Sequence, residues 1–103
     1  MSKISLIAKL FTDPDKSEEV EAALAVSCAA AAEESGLEIY SAHKDSNEEG
    51  VYWFFELYTD EEALGEHGSG EAMAAAMSSL GALLTAAPVI NMAMPKAAKG
   101  MAL

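Results

Sequence analysis

Two segments of this chain carry bulky apolar side chains on both faces of a predicted β-strand, which limits the folds open to it. In Ile4–Phe11, alternate residues point to opposite faces, and each face holds large apolar groups. Val51–Thr59 is rich in aromatic and β-branched residues, which favour strands. Strands of this kind are covered on both sides, because apolar surface left in water is unfavourable. The fold therefore needs a layer on each side of its sheet.

The predicted elements follow the order β-α-β-β-α-β, with the second helix broken by a Gly-Ser-Gly segment. This order is typical of the ferredoxin-like α+β fold, in which one four-stranded antiparallel sheet carries its helices on one face. The expected bounds are a strand at Ile4–Phe11, a helix from Asp15 to about Glu34, strands at Leu37–Asp45 and Val51–Thr59, a short helix to about His67, a longer helix to about Leu84, and a strand at Val89–Met94.

Three local signals set the expected helix ends. Asp15 with Glu18, and Thr59 with Glu62, have the spacing of a capping box. Gly36 follows the first predicted helix and is expected to be its left-handed C-terminal cap.

Helices on one face leave the other face of the sheet uncovered. Because the first and third strands are apolar on both sides, we expect the same face of a second copy to cover it. No linker, repeat or change of composition divides the chain. We therefore expect residues 1–103 to form one domain, with a core over 3–95 and a C-terminal tail over 96–103, and this domain to form a homodimer.

The charge of the chain restricts its partners. There are 17 acidic and 6 basic side chains, all six of them lysine, for a net charge of −11. Such a protein repels nucleic acids and anionic membrane surfaces, and without arginine it lacks the usual bidentate clamp for phosphate. No apolar run approaches the ~18 residues that a bilayer crossing needs. With Cys28 as its single cysteine and Lys9 interrupting any signal-like stretch, the chain is expected to be cytoplasmic.

Short motifs in the middle of the chain carry a family resemblance. Gly36–Tyr40 precedes a predicted hairpin, and Phe55–His67 combines a strand end, an acidic turn and an Ala-Leu pair. This arrangement resembles the antibiotic biosynthesis monooxygenase family. That family typically ends its third strand with an acid and an aromatic and places a histidine before a helix break. Glu56, Tyr58 and His67 fill these places here, with tyrosine where the family more often has tryptophan.

The resemblance covers roughly residues 3–100 and implies a dimeric ferredoxin-like fold, the dimeric α/β-barrel. The family includes oxygenases that oxidise phenols or quinols without metal or flavin, a haem-degrading branch, isomerases, and many proteins of unknown activity. The haem-degrading branch uses an asparagine on strand one and an iron-ligating histidine in the second helix. This chain has Ala8 at the first position and no histidine after His67, which disfavours haem. Its two histidines and one cysteine have no metal-ligand spacing, so we expect neither cofactor nor metal.

The candidate catalytic residue is His67, the histidine matched by the resemblance. An imidazole can take the proton of a phenol or quinol, which makes the ring electron-rich enough to pass an electron to O2. The competing interpretation is a histidine that only bonds free carbonyls at the end of a helix.

An aromatic pocket between sheet and helices would suit a planar quinonoid or other small aromatic ligand. Alternation lets only half of the strand aromatics face such a pocket, and the sequence does not assign which half. At any one of these positions, core or interface packing is the favoured interpretation. The candidate substrate-binding residues are Tyr40, Trp53, Phe55, Tyr58, Met73 and Met77.

The remaining acids divide into one buried candidate and an ordinary set. Glu56 lies inside a predicted strand, where a carboxylate needs a partner. It either orients a catalytic group or pairs with Lys9 or Lys44 across strands or across a dimer, and the structural role is favoured. Ordinary solvated charge is expected for Glu33, Glu34, Glu48, Glu49, Glu61 and Glu62.

The functional hypothesis is a homodimeric, cofactor-independent monooxygenase that oxidises a phenolic or quinol-type small molecule with O2. Two alternatives stay open. One is a non-catalytic small-molecule-binding or stress-associated dimer on the same fold. The other is an isomerase of a small sugar-like or lactone substrate, which a polar pocket with His67 facing a carboxylate would favour.

Overall fold

The structure, a computed structural model that describes residues 2–103, has one sheet with helices on one side. The elements in chain order are β1 (Ile4–Phe11), α1 (Ser17–Ala31), β2 (Leu37–Lys44), β3 (Val51–Tyr58), α2 (Glu61–Glu66), α3 (Glu71–Gly81) and β4 (Val89–Ala93). The sheet is antiparallel in the order β2-β3-β1-β4, so β1 and β3 are central. The predicted ferredoxin-like fold is confirmed.

The strand register decides which side chains face the helices. Glu56 of β3 lies between Leu6 of β1 and Tyr40 of β2. Two residues earlier, Phe54 pairs with Ala8 of β1. Because alternate residues of a strand share one face, these five side chains lie on the helix side of the sheet.

Two clusters fill the space beneath the helices. The larger one joins the sheet to α1 and α3 and contains Ala8, Leu10, Val20, Leu24, Tyr52, Phe54 and Leu80. The smaller one lies where α1 and α3 meet and contains Ala30, Ala31, Met73 and Ala76. The alanines let the two helices approach closely, and the large side chains of the main cluster lie mostly over β1 and β3.

The opposite face of the sheet remains open and largely apolar. Ile7 and Val89 are 38% and 49% exposed on this outer face. The Lys9 ammonium lies 5.4 Å and 5.3 Å from the ring centroids of Phe11 and Trp53, respectively. The face thus combines aromatic surface with one lysine whose stem and charge lie over the rings.

Both predicted capping boxes are wrong. A 3-10 turn at Pro14–Lys16 precedes α1, and the backbone N–H of Asp15 donates to the Asp13 carboxylate at 2.9 Å. The helix α1 itself has no side-chain N-cap. At α2 the cap is Asp60, which accepts from the N–H of Ala63 at 2.9 Å. Because the Asp60 carboxylate occupies the N-cap position, Thr59 lies outside the helix.

The first helix also ends differently from the prediction. It stops at Ala31, three residues before Glu34, and Gly36 does not adopt the left-handed conformation. A Cβ added at Gly36 would collide with the Cβ of Ala63. Glycine is needed here because the start of β2 and α2 pack closely together. Within residues 2–103, no helix combines the length and apolar character of a bilayer crossing.

Candidate functional site

A cavity of about 190 Å³ lies between the helix side of the sheet and α3. Its walls are mainly aliphatic and aromatic, including Tyr40, Phe54 and Met77. Two ionisable side chains, Glu56 and His67, lie among these apolar groups. An apolar hollow with a few convergent polar groups is the usual form of a small-molecule site.

The turn after α2 places His67 at this cavity. The residue leaves the helical conformation at φ −57° and ψ 128°, and its N–H donates to the carbonyl of Leu64. Gly68 follows with φ +82°, a conformation that side chains other than glycine rarely adopt. A Cβ at Gly68 would also come within 3.0 Å of the Met77 sulfur. The backbone thus sets the position of the imidazole, and the break after His67 agrees with the sequence prediction.

Glu34 binds the turn at two points. One carboxylate oxygen lies 2.7 Å from His67 Nδ1, and the other accepts the N–H of Gly68 at 3.0 Å. Both side chains are about one-seventh exposed, at 14% each. The prediction of Glu34 as a solvated acid is wrong, since the end of α1 brings it against the turn after α2. A carboxylate here accepts Nδ1–H and leaves Nε2 as the acceptor.

Glu56 lies on the other side of the imidazole. It is 5% exposed, its Oε1 accepts a hydrogen bond from the Tyr58 hydroxyl, and that oxygen is 4.0 Å from His67 Nε2. Burial raises the pKa of the Glu56 carboxyl, and the nearby charge of Glu34 adds to this. The Tyr58 hydrogen bond and His67 act in the opposite direction. Burial is the largest of these effects, so the neutral carboxyl is favoured over a wider pH range than usual.

The lysine partners expected for Glu56 are not at this site. Lys9 pairs with Glu48 at 3.8 Å, and Lys44 lies 3.5 Å from Glu21. The predicted pairing of Glu56 with a lysine across strands of one chain is therefore wrong, and pairing across a dimer stays a prediction. Lys9 lies on the outer face of the sheet, because it pairs with Trp53. Lys44 is on the helix side but pairs with Tyr52, four residues along β3 from Glu56.

Tyr40 forms the aromatic wall beside the imidazole. Its ring centroid lies 4.6 Å from that of Phe54 and 5.7 Å from that of His67. Burial raises the pKa of the Tyr40 hydroxyl, with the charges of Glu56 and Glu34 adding to the shift. Tyr40 is thus a neutral side chain at neutral pH.

The structure brings three of the predicted site residues together, since His67, Tyr40 and Met77 all line the cavity. Tyr58 lies behind them, fully buried, with its ring edge-on to His67 at 5.6 Å. Met73 packs in the smaller core cluster at 2% exposure.

Trp53 and Phe55 lie on the outer face, away from the cavity. They alternate along β3 with Phe54 and Glu56, which line it. The indole N–H of Trp53 donates to the Asp45 carboxylate at 2.8 Å, which holds the ring over the end of the hairpin. Both aromatics are half-buried on the outer face.

Sequence reasoning missed the parts played by Glu34 and Phe54. Glu34 and His67 are 33 residues apart, so no local pattern links them. For Phe54 a usable signal was present, because it has the same strand phase as Glu56, the strand acid that the family resemblance singled out. Within residues 2–103, no group of three or more His, Cys, Asp or Glu side chains is arranged to hold a metal ion.

Comparisons with known proteins agree with this architecture. The sequence profile of the antibiotic biosynthesis monooxygenase family matches residues 3–79. A candidate antibiotic biosynthesis monooxygenase from Caulobacter crescentus CB15 has 32% identity and a TM-score of 0.87, covering 93% of this chain and 92% of that chain. No curated protein matches the sequence.

Two further solved structures are similar over nearly their whole length. A protein of unknown function from Nitrosomonas europaea, NE2512, has 28% identity and a TM-score of 0.80, covering 99% of this chain and 97% of that chain. PA3566 from Pseudomonas aeruginosa has 25% identity and a TM-score of 0.81, with coverages of 94% and 97%. With a family profile that matches well over half of its residues, the chain belongs to the antibiotic biosynthesis monooxygenase family.

Proposed function

We propose that this protein is a homodimeric, cofactor-independent monooxygenase that oxidises a small phenolic or quinol-type molecule with O2 in the cytoplasm. The observation that carries the proposal is the position of His67 on an apolar cavity, with a carboxylate behind its Nδ1. The Nδ1 atom of the imidazole contacts Glu34, which leaves Nε2 to accept a proton from a bound substrate.

The size and lining of the cavity suit one ring. The volume of about 190 Å³ exceeds the ~150 Å³ of an engineered apolar cavity known to bind benzene. Tyr40 and Phe54 offer aromatic faces to a planar guest. With the net charge of −11, a neutral substrate is favoured over an anionic one.

The chemistry needs only a base, the substrate and O2. His67 Nε2 accepts the proton of a ring hydroxyl, and the anionic ring transfers an electron to O2, which is otherwise slow to react with neutral phenols. Capture of the oxygen by the ring and loss of water then leave one oxygen atom on the product. A hydroquinone supplies all the electrons for this step, so no external reductant is required. General base catalysis of this kind typically contributes a factor of 10²–10⁴.

The dimer is proposed to form through the outer face of the sheet. Ile7, Phe55 and Trp53 make this face apolar, while the helices cover the other face. Burial of such a face against its copy removes apolar surface from water. Sedimentation of the protein at low micromolar concentration should give the mass of two chains, and Ile7→Lys should shift it towards one. A monomer in the unaltered protein would contradict the proposed assembly.

The direct test is O2 consumption with a panel of hydroquinones and substituted phenols. The unaltered protein should consume O2 with at least one panel member, and His67→Ala should lower that rate by about 10²-fold or more. A matched control is His43→Ala, because His43 is exposed on β2 and bonds Ser41 instead. Equal rates for the unaltered protein and His67→Ala would remove His67 from the mechanism.

A second candidate function is isomerisation of a small lactone or related carbonyl compound. The observation that favours it is the approach of Glu56 to His67 Nε2, because an acid and a base on one cavity can move a proton between two substrate atoms. Isomerisation needs no O2, so turnover under nitrogen would identify it. Binding of panel compounds with no turnover in air or under nitrogen would instead assign the non-catalytic role.

A further inference from the structure

The surroundings of Glu56 differ from those of an ordinary buried carboxylate. No lysine reaches it among the described residues, since Lys9 and Lys44 pair elsewhere. Its hydrogen-bond donor is the neutral hydroxyl of Tyr58. A carboxylate without a cationic partner is costly to bury, whereas a carboxylic acid is not.

Four ionisable groups face Glu56, two from strands and two from the segments that follow helices. Tyr58 lies on the same strand and Tyr40 on β2, while His67 follows α2 and Glu34 follows α1. Glu34 already has two contacts, with His67 Nδ1 and with the Gly68 N–H. From β1 and α3 the neighbours are apolar, namely Leu6 and Met77. Burial, which has the largest effect, and the charge of Glu34 favour a proton on Glu56, while Tyr58 and His67 oppose it.

Glu56 and His67 are close enough for one oxygen atom beside them to contact both. Their nearest polar atoms are 4.0 Å apart, too far for a hydrogen bond between them. An oxygen atom about 2.8 Å from each would lie roughly 2 Å to the side of the line that joins them, with the two contacts at about a right angle. Both side chains line the cavity, so a bound ring can direct a hydroxyl to this point.

We propose that Glu56 is a second catalytic residue, whose neutral carboxyl donates a hydrogen bond to the same phenolic oxygen that gives its proton to His67. This inference rests on the proposed function and adds an anion-binding group to it. The proton of the phenol moves to Nε2 and makes an imidazolium, while the carboxyl keeps its own proton. The phenolate oxygen then accepts from two donors, the Nε2–H and the Glu56 O–H, beside apolar side chains.

Glu56 thereby makes the cavity selective for a neutral phenol that ionises after binding. An ionised Glu56 would instead repel a phenolate. The proposal therefore separates three substitutions by chemistry. Glu56→Gln keeps a neutral donor, Glu56→Leu keeps the volume without a donor, and Glu21→Gln changes an acid that is remote from the cavity.

The probe for the test is 4-nitrophenol, because its phenolate absorbs visible light and reports ionisation without turnover. In the unaltered protein the bound probe should ionise at a pH at least about one unit lower than the free probe. Glu56→Leu should weaken phenolate binding roughly tenfold to a hundredfold, the usual effect of losing a hydrogen bond to a charged group. Glu56→Gln should recover binding to within about threefold of the unaltered protein, and Glu21→Gln should not change it.

The pH dependence of phenolate binding tests the proposal even if Glu56→Leu does not fold, because it compares only the unaltered protein and Glu56→Gln. In the unaltered protein, phenolate affinity should fall as rising pH removes the Glu56 proton, and Glu56→Gln should lack this fall. Stronger phenolate binding by Glu56→Leu, identical pH profiles for the unaltered protein and Glu56→Gln, or no binding of 4-nitrophenol at all would each overturn the proposal. Because the probe requires no O2, Glu56-dependent binding without O2 consumption would uphold the phenolate-binding role of Glu56 while the oxygenase function, and with it the catalytic role, fails.

Discussion

Two tyrosine–glutamate pairs on the helix side of β3 have the same hydrogen bond in opposite surroundings. At one end, the Tyr52 hydroxyl donates to Glu21 at 2.7 Å, and Lys44 lies 3.5 Å from the same carboxylate. At the other end, the Tyr58 hydroxyl donates to Glu56 beside the cavity. The first carboxylate is exposed to water, whereas the second is 5% exposed.

The two carboxyl groups respond in opposite directions. The hydrogen bond from Tyr52, helped by Lys44, lowers the pKa of Glu21. Burial raises the pKa of Glu56 although Tyr58 donates a similar hydrogen bond. The hydrogen bond therefore does not decide the protonation state by itself. Exposure to water and a cation favour the anion at one end, and burial without a cation favours the acid at the other.

Glu34 is a third acid that can be compared with these two, because it is partly buried and contacts two N–H groups. Its substitution is expected to have the largest effect. Glu34→Gln replaces one acceptor oxygen with an NH2 group, so the amide cannot accept from both donors. We expect the imidazole to shift towards the Nε2–H tautomer and His67-dependent turnover to fall by about 10²-fold. Nitrogen NMR of the His67 ring reports the tautomer directly.

The control for this experiment is Glu33→Gln, which changes an exposed acid next in the chain. It should keep both the tautomer and the rate. An unchanged ring tautomer in Glu34→Gln would show that the turn alone orients His67, and the positioning role of Glu34 would then be rejected.

The tyrosine hydroxyls provide the next largest effect. Tyr58→Phe leaves a buried Glu56 oxygen without its donor and should lower the free energy of unfolding by about 1–3 kcal/mol. Tyr52→Phe should have a smaller effect, because water and Lys44 can still reach Glu21. Urea unfolding of both variants measures the difference. Equal losses would show that burial of Glu56 has little energetic consequence.

The fold was largely readable from the sequence because its signals are local or periodic. Apolar residues on both faces of β1 and β3 indicated central strands, and the element order then left few topologies. The helix ends were less predictable. Capping depends on which of several neighbouring side chains occupies the position, so Asp60 replaced Thr59. Gly36 is required by a contact with Ala63 that only the folded chain creates.

The site was predictable only where a single residue carried the signal. His67 was singled out through the family resemblance, which places a histidine before a helix break, and Tyr40 and Met77 through their elements. Because β3 has aromatic residues at consecutive positions, periodicity alone did not predict which face of the sheet Trp53 and Phe55 occupy. Glu34 escaped because its role depends on two helix ends meeting in space.

The pH dependence of stability sharpens the comparison between Glu56 and Glu21. Folded Glu56 keeps its proton above the ordinary glutamic acid value of 4.5, where the unfolded chain has released it. Folding then takes up a proton, so stability should fall as pH rises from that value through the raised pKa, by up to about 1.4 kcal/mol per pH unit. Glu56→Gln should remove this fall.

The pKa shift of Glu21 makes stability depend on pH in the opposite direction. Its lowered pKa gives stability that is present above the ordinary value and is lost as pH falls through the lowered one. Glu21→Gln should therefore change only the acidic side of the stability curve. Urea midpoints at a series of pH values test both variants. A wild-type curve that rises with pH across the Glu56 window would contradict the assignment of a neutral buried acid.

Ser27 gives the smallest expected effect and the simplest form of the same argument. It is fully buried in α1, and its hydroxyl is the one buried side-chain polar atom without a hydrogen-bond partner among the described residues. Ser27→Ala removes this unsatisfied group and should raise the free energy of unfolding by about 0.5–1 kcal/mol. Ser79→Ala on the exposed side of α3 measures the gain from helix propensity alone. If Ser27→Ala stabilises the protein no more than this control, the structure tolerates burial of an unpaired polar group at this position. Desolvation would then be a weaker explanation for the raised pKa of Glu56 as well.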